Sequence, residues 1–176
     1  MGLDMYLTAK QSICKYDEDL SKVEKVSKIF PEMFKYGNLD TVEIGFEVGY
    51  WRKSNQIHKW FVDNCQEGED DARDAKVSRD DLIKLKETCE KVQKILSEQK
   101  KQKVVLVEKF TKEEYEHNVF TDTEEIEGLL PTASGFFFGS TEYDEYYEND
   151  LELTIEIINK CLELPEKWSF EYHSSW

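Results

Sequence analysis

Residues 78 to 96 carry the pattern that most limits what this chain can fold into. Leu82, Leu85, Cys89, Val92 and Leu96 recur at intervals of three and four, so all five share one face of a helix. Ser78 stands where an N-cap belongs, and Asp81, three residues on, completes a capping box. A helix with one clean apolar face must lay that face on a partner layer. Strand patterns provide one. Leu3, Met5 and Leu7 alternate with polar neighbours, as do Val42, Ile44, Phe46 and Val48 up to Tyr50. Near the end, Trp168, Phe170 and Tyr172 alternate with Ser169, Glu171 and His173.

Further helices fill the intervals. Leu20, Val23, Val26 and Phe30 suit a short helix that Pro31 would help to end. A second is expected from Arg52 to Cys65, with Ile57, Phe61 and Cys65 on its stripe and Trp60 on one flank. A third is expected behind Thr141 as N-cap, with Asp144 at the third position. Its stripe would be Tyr143, Tyr147, Leu151, Ile155, Ile158 and Leu162, and Pro165 would end it. Val104 to Val107 can form a strand, and Glu67 to Asp74 reads as an acidic loop. No internal repeat is visible. The expectation is α+β: one domain over residues 1–176, with a small, mostly antiparallel sheet and three or more helices packed on one face.

Charge narrows the function classes. Against 23 Lys and Arg stand 38 Asp and Glu, a net charge of -15. Direct nucleic-acid binding would need excess cations, and so would binding to an anionic membrane surface. No run approaches the roughly 20 apolar residues of a membrane helix. MGLDMYLTAK lacks the basic start and apolar core of a secretory signal, and Tyr6 spoils a myristoylation match at Gly2. Cys14, Cys65, Cys89 and Cys161 form no CxxC pair and read as free thiols in a reducing cytoplasm.

Two constellations stand out. Trp51, Asn55 and His58 would share one edge of the expected second helix, with Arg52 and Lys53 in its first turn. Cations there oppose the helix dipole unless an anion lies near, and a ligand phosphate or carboxylate would be such an anion. The plainer alternative is an ion pair with one of the many acids, or simple solvation. The other constellation is LLPTASGFFFGSTEYD, residues 129 to 144. Its hydroxyls Thr132, Ser134, Ser140 and Thr141 surround Phe136, Phe137 and Phe138 ahead of a helix start, with Tyr143 behind them. Free amides and hydroxyls suit an anion, and the rings suit stacking. It is no P-loop: the glycine spacing is wrong and no lysine precedes Ser140. The plainer reading is a buried strand with Phe136 and Phe138 facing the core. The carboxylates Asp144, Glu145, Glu148 and Asp150 could pair on a helix face, but no metal or acid-base motif accompanies them. His173 and Ser174 make no triad without an acid.

Four blocks resemble a family of small phage and prophage proteins. They are GLDMYL at the start, EVGYWRKSNQIHKWFVDN from Glu47 to Asn64, LLPTASGFFFGSTEYDEYYENDLE from Leu129 to Glu152, and YHSSW at the end. The resemblance implies a phage-encoded accessory protein in the cytoplasm of a bacterial host, and implies no reaction. Residues 12–41 and 97–123 look like additions to the family pattern. Three functions follow as expectations. The leading one is a binding protein that sequesters a small anionic nucleotide signal of host defence without turnover, metal or cofactor. Its ligand residues would be Trp51, Arg52, Lys53, Asn55, His58, Thr132, Ser134, Phe136, Ser140, Thr141 and Tyr143. The second is an acidic interaction module, or nucleic-acid mimic, that occupies a basic host protein. The third is an enzyme on a small phosphorylated substrate with His58 as acid or base. Self-association is left open.

Overall fold

A computed structural model describes residues 2–14, 20–35, 41–107 and 114–176. The elements run β1 (Asp4–Cys14), α1 (Leu20–Ile29), a 3₁₀ turn (Met33–Lys35), β2 (Thr41–Arg52), α2 (Asn55–Cys65) and β3 (Ala75–Val77). There follow α3 (Arg79–Ser97), β4 (Gln102–Val107), β5 (Glu114–Val119), α4 (Glu124–Leu129), α5 (Glu145–Glu163) and β6 (Ser169–Ser175). Four strands form an antiparallel sheet in the order β2-β1-β6-β3, and β4 and β5 form a separate antiparallel ribbon. This is the small α+β architecture expected from the sequence.

Alternation decides which face is covered. Leu3, Met5, Leu7, Trp51, Phe170 and Tyr172 point inward and are buried. Tyr6, Tyr50 and His173 form a ring row on the other face, where Lys10 also pairs with Glu171. The inward face meets α2, α3 and α5 in one continuous core. On α3 the five predicted stripe residues are all buried, and the Ser78–Asp81 capping box forms in both directions. One extra residue on β2 makes a bulge opposite Leu7 and Thr8. Helix α5 presses onto β2 at Gly49, where an added Cβ would lie 2.7 Å from a methyl of Ile157. Only glycine fits that crossing.

Several boundaries differ from expectation. β2 runs on through Arg52, which pairs with Asp4, so α2 starts at Asn55 and not at Arg52. Lys53 turns the corner with φ of 63°, in the left-handed region. The start of α5 also moves. Asp144, not Thr141, is its N-cap, because the Asp144 carboxylate accepts from the amides of Tyr146 and Tyr147 at 2.9 and 3.0 Å. Tyr143 therefore lies outside the helix. The buried face of α5 centres on Tyr147, Leu151, Thr154, Ile157, Ile158 and Cys161, with Ile155 and Leu162 only half-buried. The three phenylalanines form no strand. Phe136 and Phe137 occupy a turn, Phe137 has φ of 65°, and only Phe138 enters the core. Phe136 is 78% exposed, so it faces water and not the interior. β3, directly after the acidic loop, was not anticipated. Of the two stretches read as additions, 12–41 holds the far ends of β1 and β2 with α1 between them, and 97–123 holds the β4–β5 ribbon.

Candidate functional site

A cleft of about 350 Å³ opens where four segments meet. The end of β2 and its turn contribute Arg52 and Lys53, and the first turn of α2 contributes Asn55 and Gln56. The loop after α4 brings Thr132, Gly139, Ser140 and Glu142. The start of α5 brings Asp144, Tyr146, Tyr147 and Asp150. The two sequence constellations thus border one space.

Asn55 holds that arrangement together. Its amide nitrogen donates to the carbonyls of Phe138 and Ser140 at 3.2 and 2.7 Å, and its oxygen accepts from the Ala133 amide at 2.9 Å. A buried side chain with donors and acceptor all engaged is rigid. It splints the loop across residues 133 to 140 against the start of α2. Gly139 completes the fit. Its φ is 95°, and an added Cβ would come within 3.0 Å of Lys53 Cβ. The loop backbone and the Lys53 corner are in contact there, and no larger residue suits the position.

The walls differ in charge. Arg52 and Lys53 are exposed and form no ion pair with any described carboxylate. Facing them are Glu142, Asp144 and Asp150. Asp144 is saturated, because besides capping α5 it accepts from His117 Nε2 at 2.8 Å. Asp150 is less well provided for. Burial raises its carboxyl above the ordinary range and Asp144 adds repulsion, while nearby Ser54 and Gln56 act in the opposite sense. Gln56 Nε2 donates to Asp150 Oδ2 at 2.9 Å. The Ser54 hydroxyl is close enough to favour the carboxylate but falls short of a regular hydrogen bond. At the back, Tyr147 donates to the Leu130 carbonyl at 2.8 Å, and burial pushes its phenol upward.

Five of the predicted ligand residues line this cleft: Arg52, Lys53, Asn55, Thr132 and Ser140. The others are placed elsewhere. Trp51 sits fully inside the core, with its indole N–H on Thr154 Oγ1 at 2.9 Å, because strand alternation turns it away from Arg52. His58 is 1% exposed and bound at both nitrogens, to the Tyr172 hydroxyl at 2.8 Å and Asp70 at 3.0 Å. Phe138 and Trp176 close over its ring. In the neutral tautomer that donates Nε2–H to Asp70, Nδ1 accepts from the Tyr172 hydroxyl. This is a core histidine clamped between a strand and the acidic loop. Ser134 and Phe136 are exposed and do not border the cleft. Thr141 and Tyr143 line a shallower depression beside Phe120 and Val104.

Gln56, Tyr146 and Asp150 are cleft residues that did not stand out in the sequence. Asp150 was legible only as one of several carboxylates, and Gln56 as one polar residue of an amphipathic helix. No group of His, Cys, Asp and Glu among the described residues is arranged to hold a metal ion. All four cysteines are free, with Cys89 and Cys161 buried. No described helix is long and apolar enough to cross a membrane. No protein-family model matches the chain, and no curated protein or solved structure does so either.

Proposed function

We propose that the protein binds a small anionic, ring-bearing ligand, a nucleotide, in the cleft between the β2–α2 corner and the loop after α4. One observation carries the reading. In a chain with 38 acidic residues, Arg52 and Lys53 stand without an ion-pair partner among the described residues, at the mouth of a cleft shared with Thr132 and Ser140. Cations left unpaired amid such an excess of acid suit an anion that arrives from outside. The cleft volume, about 350 Å³, falls at the small end of the 300–1,000 Å³ common for ligand sites. Together with the likeness of its four blocks to small phage proteins, this supports sequestration of a nucleotide signal of the bacterial host.

Calorimetry with a panel of linear and cyclic nucleotides and inorganic phosphate tests the reading. Binding is expected for at least one nucleotide. The double substitution Arg52→Ala with Lys53→Ala should weaken it by more than about a hundredfold, since each charge-assisted hydrogen bond contributes about 1.5–3 kcal/mol. Chromatography of the recovered ligand should return it intact. Heat from none of the panel would end the proposal, and a converted product would replace sequestration by catalysis.

A further inference from the structure

The anion reading accounts for one wall of the cleft and leaves the opposite wall unexplained. There Gln56 and Asp150 lie side by side. Gln56 is 2% exposed, and its amide nitrogen is committed to Asp150 Oδ2. Its amide oxygen takes no hydrogen bond from any described residue, although the side chain borders the cleft. That oxygen is not sealed from solvent, so it can accept from a donor that enters the cleft. Asp150 beside it is a carboxylate held in a partly dry setting, which also gains from a donor. This part of the wall offers acceptors to the cleft.

Tyr146 stands next to them. Its ring borders the cleft yet is 65% exposed, an open face on which a flat ring can stack. A volume of about 350 Å³, at the small end for ligand sites, suits a single nucleotide better than two linked ones. Among nucleobases, guanine presents two neighbouring donors on one edge, its ring N–H and its exocyclic amino group, and a carboxylate takes both at once. Adenine offers an amino group beside a ring acceptor, which would face the acceptors of Gln56 and Asp150. Uracil offers a single donor between two carbonyls, which those acceptors would repel.

We propose that the cleft selects a guanine mononucleotide, with its phosphate on Arg52 and Lys53, its base edge on Asp150 and Gln56, and its ring on Tyr146. This rests on the anion site described above and adds the identity of the base.

Titration of the full chain with GMP, AMP, UMP and inorganic phosphate, followed by NMR and calorimetry, tests it. GMP should bind at least tenfold tighter than AMP and tighter still than UMP. Asp150→Asn keeps the shape and removes the charge. It should erase most of the preference for GMP and tighten inorganic phosphate, because a negative charge has left the cleft. Tyr146→Ala, an exposed position with little bearing on folding, should weaken GMP more than phosphate. Phosphate binding through Arg52 and Lys53 with no preference among bases would overturn the guanine assignment and leave the anion site standing. The same order of bases in Asp150→Asn would also overturn it. No binding of phosphate or of any nucleotide would remove both.

Discussion

Helices α2 and α3 each begin behind a serine, but only one of those serines caps. Ser78 accepts from the Asp81 amide, and Asp81 accepts in return from the Ser78 amide, both at 3.1 Å. Two acids lie in the first turn of α3, in accord with its dipole. Ser54 makes no side-chain cap, no acid follows it, and the residue before it is a lysine in a left-handed conformation. Asn55, one residue on, spends its amide on the neighbouring loop and not on its own helix. One helix start is finished for stability alone. The other is left locally unfavourable and faces the cleft. Strain and unmet polar groups concentrate where a protein does something other than fold.

The contrast can be broken at several points. Asn55→Ala should have the largest effect, about 2–3 kcal/mol in urea denaturation, because three loop groups lose their partner. It should also abolish ligand binding by releasing the loop. Equal ligand affinity with the loop freed would detach Asn55 from the site. Ser78→Ala should cost about 1 kcal/mol by loss of its cap and leave ligand affinity as it is. A change in affinity there would show that the two helix starts are not separate in function. Lys53→Gly should go the other way. Relief of the left-handed residue should stabilise the fold by up to about 1 kcal/mol, while ligand affinity falls with the lost cation. Stability and binding moving together would refute the idea that this corner sacrifices one for the other.

The smallest effect concerns pH. Asp150 has a folded pKa above its ordinary value of 3.8, so the folded state holds its proton more tightly than the unfolded chain. The penalty for its charge is fully present above the folded pKa. It fades as pH falls through that value towards 3.8. Asp150→Asn should therefore melt slightly higher than the parent protein at pH 7, by less than the Ser78 effect, and the gap should close towards pH 4. A gap that is constant with pH would assign the difference to packing.

How far the sequence alone leads depends on the element. α3 could be read almost to the residue, because cap and stripe agree and nothing competes with them. The alternating strands were legible in kind, since a half-buried strand has a period of two, but not in extent: β1 runs on to Cys14, β2 carries a bulge, and Phe46 on it is exposed. The two misplaced helix starts have separate causes. Around 141 to 144 both Thr141 and Asp144 are good caps, and only the tertiary position of Tyr143, whose carbonyl takes the Phe120 amide at 2.7 Å, decides for the second. At 51 to 54 no glycine or proline announces a turn, because Lys53 adopts glycine's conformation. That one corner moved Trp51 into the core and left Arg52 at the cleft. β3 is three residues long, too short for a period to show. The meeting of Arg52 and Lys53 with Thr132 and Ser140 depends on Asn55, whose bonds to the loop span 78 to 85 positions. Gln56 and Asp150 stayed hidden because their pairing spans 94 positions, which no local pattern encodes.

The way Asn55 grips the loop has an evolutionary corollary. It touches only main-chain atoms there: two carbonyls and one amide. Every residue except proline offers that amide, and every residue offers the carbonyls. Exposed side chains of this loop, such as Ser134 and Phe136, are consequently free to change without losing that grip, whereas Gly139 and the buried Phe138 are not. A lineage carrying this fold can vary the exposed surface of the loop while keeping its frame intact.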